Sequence, residues 1–420
     1  MRRVIKFGGT SLATPELVRE AARHVARLVE LGEQVAVVVS APGNATSELL
    51  AAITTAGDGG IDYAESCAYA SLGEEQSVLM MCAALRSFGV NALPLLPRDR
   101  ESWPIIADCD DISPLSLGKV NEERPFRLRG QQTASRIARF VLPQLRVGSV
   151  PVIAGFFAVD SADRIVTLGR GGSDISAFIV ASQISADEVD IVTDVKGVLS
   201  ADPRLADNPR LLTELTLEDL HIISGAGARV LHPRALEFKL PHQRVRILDY
   251  RELSLLEQTG TSVLGSSETT LHVSESELSM LTLVGEVGDP TRLHKTLADW
   301  LAESGYELTA LSISKRFTCI YLPSSVADSA YATLHDKLVA AFPELLNISL
   351  RGRVGELRLR SAKFLDQPGV LAEVTGVLAN ARINIIEMIT GLTDISVFIN
   401  FDDVEKANTL LRRVLEHYAA

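Results

Sequence analysis

The sequence predicts an α/β protein: a three-layer αβα domain built on a mostly parallel central sheet, followed by two ferredoxin-like α+β modules. Three observations carry that prediction. Over roughly the first 265 residues, apolar runs too continuous for one-sided exposure, such as Gln34–Ala41 (QVAVVVSA), alternate with segments of helical periodicity. Strands of that kind, joined by helices, belong to a parallel sheet covered on both faces. Between Gly260 and Thr270 small polar residues crowd together (GTSVLGSSETT), which marks a domain break. Beyond the break the rhythm shortens, and a strand–helix–strand–strand–helix pattern runs twice. The expected domains are 1–265, then a divergent module over 270–345 and a second over 350–420.

Each element follows from its local pattern. Val4–Phe7 reads as a strand, and Leu17, Val18, Ala21, Ala22, Val25, Leu28 and Val29 form a helical apolar stripe that stops at Gly32. A long helix is expected over Tyr63–Phe88, stopped by Gly89, with a strand at Val90–Leu96. Val150–Ala154 is another buried strand, and Phe156–Leu168 a hairpin turning near Ser161–Asp163. Ser173–Ser185 reads as a helix, Glu188–Thr193 as a strand, and Val245–Leu248 as the last strand of the domain. In the tail, Leu278–Gly285, Thr291–Ser304, Glu307–Ser314, Thr318–Leu322 and Ala327–Ala341 form the weaker copy. Glu356–Lys363, Pro368–Ala381, Ile383–Ile389, Ile395–Phe401 and Asp403–Tyr418 form the clearer one. Arg98–Arg146 fits least well: it holds Trp103 and eight arginines. It reads as a solvated arginine-rich helix face, with a lid or a dimer contact as alternatives.

Composition narrows the function classes. A length of 420 residues calls for two or three domains, and 46% hydrophobic with 22% charged residues is ordinary for a folded soluble protein. A net charge of −12 argues against a nucleic-acid binder, whose footprint would be basic. The four cysteines show no C-x-x-C pair and read as reduced buried thiols. No signal core follows Arg2-Arg3 and no stretch approaches a membrane span, so a cytoplasmic location is expected.

The chemistry concentrates in four clusters at strand ends. Lys6 is the only lysine in the first hundred residues, set in Lys6-Phe7-Gly8-Gly9-Thr10-Ser11 after a strand and before a helix opened by Thr14-Pro15. Lysine is a mobile point charge, the glycines let backbone N–H groups approach an anion, and a helix N-terminus adds positive potential. The cluster therefore reads as a phosphate site. The second, Ser40–Ser47 (SAPGNATS), follows a buried strand and is expected to face the first; by itself it would be read first as a turn and helix cap. The third is Gly169-Arg170-Gly171-Gly172-Ser173-Asp174. Ser173 or Asp174 caps the next helix, but an arginine among glycines has no packing role and suits a carboxylate or phosphate. The fourth runs from Thr193-Asp194 to Arg204.

No nucleophile–base triad stands out, and none of the eight histidines pairs at metal-ligand spacing. The P-loop and protein-kinase patterns are absent, and Gly225-Ala226-Gly227 lacks the third glycine of a dinucleotide fingerprint. What remains is ATP-dependent phosphoryl transfer to a small anionic acid. That reaction needs charge neutralisation and alignment more than covalent catalysis.

KFGGTS, VVVSAPGNATSEL, SLGEEQS, TLGRGGSDISA, TDVKGVLSADPR and GARVLHPRA stand in the order and spacing of aspartate kinases, members of the amino acid kinase superfamily, which the chain thus resembles over nearly all of its first 250 residues. The tail resembles the paired ACT regulatory modules of those enzymes, notably at Asp366-Gln367-Pro368-Gly369-Val370. The resemblance implies ATP-dependent phosphorylation of the β-carboxylate of L-aspartate, with Mg2+ bound through the phosphates and no metal site on the protein. It implies that Lys6, Gly8, Gly9, Thr10 and Ser11 hold phosphate, with Lys6 and Asp174 catalytic. Ser40, Thr46, Gly171 and Gly172 line the aspartate pocket, Glu74 receives the α-ammonium and Arg170 the α-carboxylate. Ser173 and Asp174 bracket the reacting centre. Thr193, Asp194, Leu199, Arg204 and Arg229 contact the nucleotide, with Leu199 where the family has an aromatic residue and Arg229 where it has lysine. Asp366, Gly369 and Val370 are the implied contacts of an amino-acid effector, lysine or threonine. The ACT modules imply a homodimer or homotetramer, and the activity implies a place in lysine, threonine and methionine synthesis or in a specialised pathway. The alternatives are a superfamily kinase acting on another small acid, and a non-catalytic amino-acid sensor.

Overall fold

In the first half of the chain, strands buried on both faces stack side by side and force helices onto both of their surfaces. The structure, a computed structural model, describes residues 1–58, 60–109, 120, 125–227, 231–253, 260–265, 269–286, 289–339, 341–361, 364 and 368–419, with side chains to residue 416. The chain forms two units, Met1–Ser267 and Glu268–Ala420.

The first unit contains strands β1 (Arg2–Phe7), β2 (Gln34–Val39), β3 (Ala92–Leu95), β4 (Val150–Ala154), β5 (Glu188–Thr193), β6 (Glu214–Thr216), β7 (Arg244–Asp249) and β8 (Gly260–Leu264). They pair in the order β6-β8-β7-β5-β1-β2-β4-β3. Every pair from β7 to β3 is parallel, with Lys6 opposite Val38 and Ile191. Val35 to Val39 are all 1% exposed or less, so both faces of β2 are covered. The covering helices include α1 (Pro15–Glu30), with α2 (Ala45–Ala56) packed on α3 (Tyr63–Ser87), and α3 and α4 (Gly172–Gln183) on the sheet. Thr14 caps α1 by accepting the Leu17 N–H, with Pro15 in the first turn.

Two sequence expectations need correcting here. The sheet does not end at Val245–Leu248: β8 runs antiparallel to β7 and carries β6 beyond it. The segment read as a solvated arginine face is instead tied into the core. Trp103, Ile105, Ile137 and Val141 are fully buried, and Ala107–Cys109 pairs with Phe126–Leu128. Some of its arginines serve backbone rather than water: Arg136 donates to the carbonyls of Arg100 and Trp103. The expected hairpin is present as Phe157–Val159 against Ile165–Thr167.

Far from the strand ends that carry the loops, Arg3 lies against Glu33, Glu188 and Asp190 at 2.8, 2.7 and 2.8 Å. Arg246 pairs with Asp190 at 2.8 Å and also meets Glu188. Two guanidiniums across neighbouring strands thus offset the burial of two acids.

The second unit holds β9 (Thr270–Val273), β10 (Leu278–Val284), α5 (Pro290–Ser304), β11 (Ala310–Ile313), β12 (Phe317–Pro323), α6 (Ala327–Val339), β13 (Asn347–Arg360), α7 (Val370–Asn380), β14 (Ile385–Thr390), β15 (Asp394–Asn400) and α8 (Val404–Ala419). They build one antiparallel sheet in the order β11-β12-β10-β13-β15-β14. The two modules share β13: its residues 347–354 pair with β10, and its residues 354–360 pair with β15. The second module closes with a strand from before the first, because β9 lies antiparallel to Leu357–Arg360. Each module keeps its own core, one around Trp300, Ile320 and Leu334 and one around Val374, Val397 and Leu411. Among the described residues no helix is long and apolar enough to cross a membrane.

Candidate active site

The carboxyl ends of β1, β2, β4 and β5 lie side by side, and the sequence places its glycine loops there. After β1 the chain turns through a single 3-10 turn at Gly9–Leu12, in which the buried Ser11 hydroxyl donates to the Gly8 carbonyl at 2.6 Å. A Cβ on Gly9 would lie 2.6 Å from the Ala41 carbonyl oxygen, so only glycine lets the two loops meet. Gly43 N–H then donates to the Gly9 carbonyl at 2.9 Å, and Ser40 N–H to that of Phe7 at 3.1 Å. The first two clusters therefore form one surface, with Thr10 exposed and Thr46 half-buried in it.

Lys6 projects from the end of β1 and its Nζ lies 2.7 Å from Asp174 Oδ1, in the first turn of α4. Both side chains are mostly buried, at 12% and 15% exposure, yet retain an opening to solvent. The ion pair aims the ammonium at the N-terminus of α4, where unpaired N–H groups attract anions.

Arg170 stands at the tip of the turn between β4's hairpin and α4, flanked by Gly169 at φ 75° and Gly171 at φ 71°. It is exposed, and no described residue bonds its guanidinium. The glycines beside it are fixed by packing: a Cβ on Gly171 would meet His232 Cβ at 2.3 Å, and one on Gly172 would meet Phe156 Cδ2 at 2.6 Å. Gly155 approaches Ser173 in the same way. Phe156 itself holds φ 73°, its N–H bonded to Ser176 Oγ at 3.1 Å.

Glu74 comes from the middle of α3, where Gly73 lets the helix settle against Ala41. The carboxyl is 3% exposed, and its bonds are to the Ala41 backbone and the Thr46 hydroxyl, with Oε2 left without a partner. Burial pushes its pKa up to about 8, against the opposing pull of those bonds. A buried acid without a cation is poised to receive one.

On the far side of β1, Thr193 ends β5 and donates to Asp194 Oδ1 at 3.2 Å. Arg251 Nη2 holds the Asp194 carbonyl at 2.6 Å, and Lys196 lies 3.4 Å from Glu252. Leu199 is half-buried in a two-residue strand paired with Leu211–Leu212. Arg204 is folded onto Asp202 at 2.7 Å, within its own turn rather than toward Lys6. Lys196 lies inside the fourth cluster and His232 inside GARVLHPRA, but the sequence reading gave neither a role of its own, and it gave none to Arg251 or Phe156. For Phe156 no sequence signal exists, because only its φ angle marks it; Lys196 was visible as a cation beside a glycine. Arg229 and Asp366 lie outside the described residues. Gly369, at φ 96°, opens α7, and Val370 is buried in the core of its module.

In the second unit a cavity of about 500 Å³ opens beside Gly285, Glu286, Pro290, Ile313 and Phe317. Lys315 on its rim pairs with Glu286 at 2.7 Å. Among the described residues, no cluster of acids, histidines or cysteines is arranged to hold a metal ion.

Comparison with known proteins adds to this geometry. The sequence profile of the amino acid kinase family matches residues 1–249, and that of an ACT domain matches residues 351–413. Aspartokinase 2 of Bacillus subtilis is 28% identical over 98% of this chain and 97% of its own length. The aspartate kinase of Synechocystis has a similar structure, with a TM-score of 0.75 at 24% identity over 99% of this chain and 69% of that one. Aspartokinase III of E. coli, solved in complex with aspartate and ADP, covers 99% of this chain and 100% of its own at a TM-score of 0.54 and 22% identity.

Proposed function

The chain belongs to the amino acid kinase family and carries a C-terminal ACT domain, and from that premise we propose that it transfers the γ-phosphoryl group of ATP to the β-carboxylate of L-aspartate. Two sets of groups support this reading, the Lys6–Asp174 ion pair first among them. Lys6 and the α4 N-terminus suit an anion, while Arg170, which no described residue bonds, and the buried Glu74 suit an α-carboxylate and an α-ammonium. The full-length similarity to aspartokinases points to the same substrate.

In this mechanism Arg170 grips the α-carboxylate through two parallel N–H bonds and Glu74 accepts from the ammonium. The β-carboxylate is thereby held toward Lys6. Its oxygen attacks the γ-phosphorus in line as the bond to the β,γ-bridging oxygen breaks and ADP leaves, and no general base is needed because the carboxylate is already ionised. Lys6 neutralises charge that builds on the transferring group, Asp174 keeps the ammonium aimed, and the backbone N–H groups of Gly8 and Gly9 approach the phosphates. Thr193, Asp194, Leu199 and Arg204 border the nucleotide side. Mg2+ enters with ATP and supplies charge neutralisation across its phosphates. The product is 4-phospho-L-aspartate, a mixed anhydride. A free amino acid such as lysine or threonine acts as effector, and we place it at the Gly285–Pro290 cavity, where Glu286 and Lys315 offer opposite charges. Pairing of the ACT modules between copies, a cytoplasmic location, and a role in aspartate-derived amino acid synthesis complete the reading.

The test is direct. Purified protein with Mg-ATP and L-aspartate yields an acyl phosphate trapped by hydroxylamine. A hydroxamate from another acid but not from aspartate overturns the substrate assignment and leaves the kinase assignment standing.

A further inference from the structure

Arg170 and Glu74, the two side chains assigned to the amino-acid end of the substrate, come from two different elements, so their spacing is set by how those elements are joined. Glu74 sits on α3, and Arg170 on a turn at the end of a hairpin strand. No described residue bonds the guanidinium, so its position follows where that strand ends. The strand ends at Thr167, three residues earlier, and Thr167 is bonded to the first residue of α3. Tyr63 OH lies 2.9 Å from Thr167 Oγ1 and accepts from the Thr167 N–H at 3.4 Å. Thr167 Oγ1 in turn donates to the Val120 carbonyl at 3.2 Å, which makes Tyr63 the donor to Thr167. Cys109 Sγ completes the set by donating to the Thr167 carbonyl at 3.4 Å.

This linkage is buried, with Tyr63 1% and Thr167 0% exposed. A phenylalanine would fill the same space without a hydroxyl to satisfy, so the hydroxyl calls for a reason beyond packing. It also satisfies a strand-end N–H that would otherwise be an orphan. Gly73 against Ala41 sets α3, Leu168 N–H to Phe156 O at 2.8 Å sets the hairpin, and apolar packing holds the two together without fixing their direction. The hydroxyl pair joins the two sides directly.

We propose that Tyr63 and Thr167 are positioning residues that hold the Arg170 turn at a fixed spacing from the Glu74 helix, and so set both the affinity for the α-amino acid and its stereochemical selection. The inference rests on the proposed function. Neither residue touches the substrate.

The experiment is isothermal calorimetry on the full chain with L-aspartate, D-aspartate and Mg-ADP as separate ligands. Tyr63→Phe and Thr167→Val each weaken L-aspartate binding about tenfold, equivalent to about 1.4 kcal/mol. Both narrow the preference for the L-isomer and leave the Mg-ADP Kd within about twofold of wild type. The double variant loses less than the sum of the two single ones, because both changes remove the shared Tyr63–Thr167 bond. Thr167→Ser, which keeps the hydroxyl, stays close to wild type. Equal loss for L-aspartate and Mg-ADP, or unchanged aspartate binding with only a lower melting temperature, overturns the proposal and makes the pair structural. If the wild-type protein itself fails to bind aspartate, the functional reading falls, and this inference with it.

Discussion

Glu74 gives the proposed site a pH signature that can be worked out in advance. Its pKa in the free protein is raised to about 8 because α3 buries it beside Ala41 and Thr46 without a cation. At pH 7 it is therefore about nine-tenths protonated, by the usual titration relation. An α-ammonium docked on it favours the ionised form, so binding expels that proton. The sign follows: aspartate affinity rises as pH increases and levels off above about 8, where the proton is already gone. If only the ionised form binds, the apparent Kd carries a factor of 1 + 10^(pKa − pH). That factor falls about fiftyfold between pH 6 and pH 8, or about 2.3 kcal/mol. Calorimetry in buffers of different ionisation enthalpy should record release of about 0.9 proton per aspartate at pH 7. Glu74→Gln should bind aspartate more weakly and with a flat pH profile, while Mg-ADP binding is unchanged. An aspartate Kd that stays constant from pH 6 to pH 8.5, or proton uptake on binding, would refute the assignment of Glu74 to the ammonium.

Three other outcomes follow from the geometry. Lys6→Arg keeps the charge but replaces a point charge by a rigid fork beside Asp174, so kcat should fall by about 10²–10³ with little change in aspartate Kd; activity within a fewfold of wild type in the hydroxamate assay counts against the phosphate role. Gly9→Ala pushes a Cβ against the backbone carbonyl of Ala41, and that backbone cannot step aside cheaply. Both substrates should bind worse, and urea unfolding should register a stability loss of about 1–3 kcal/mol. Asp190→Asn leaves Arg3 and Arg246 facing a neutral amide in a buried network, and should cost about 3–5 kcal/mol in urea unfolding with the catalytic parameters unchanged. The two arginines hold the Asp190 carboxyl below its ordinary value of 3.8 despite its burial. Its contribution is thus present above that value and is lost as pH falls through the lower folded one, so the gap between wild type and variant should close in acid.

The fold and the candidate site were not equally legible in the sequence, and the differences have physical causes. The strand Val150–Ala154 could be read to the residue, because burial on both faces leaves an unbroken apolar run bounded by polar turns, and Glu188–Thr193 showed by its alternating apolar residues. The edge strands Glu214–Thr216 and Gly260–Leu264 could not, since a short, half-exposed strand has no run to show. Gly260 looks like a linker residue, yet its place is set by the Ile247 carbonyl, which would lie 2.4 Å from an added Cβ. Thr270–Val273 was hidden for a stronger reason: its partner is Leu357–Arg360, and pairing across that separation leaves no local trace. The second module thus takes a strand from before the first. The site divides along the same line. Lys6, Arg170 and Asp174 announced themselves because charge set among glycines is rarely about packing, and the fold brings Lys6 and Asp174 to one ion pair. Glu74 looked like any glutamate on a helix surface, and only the small residues around it, Gly73 and Ala41, turn it inward. Function there is written in the absence of side chains, and an absence can be weighed only once the neighbour that fills it is known.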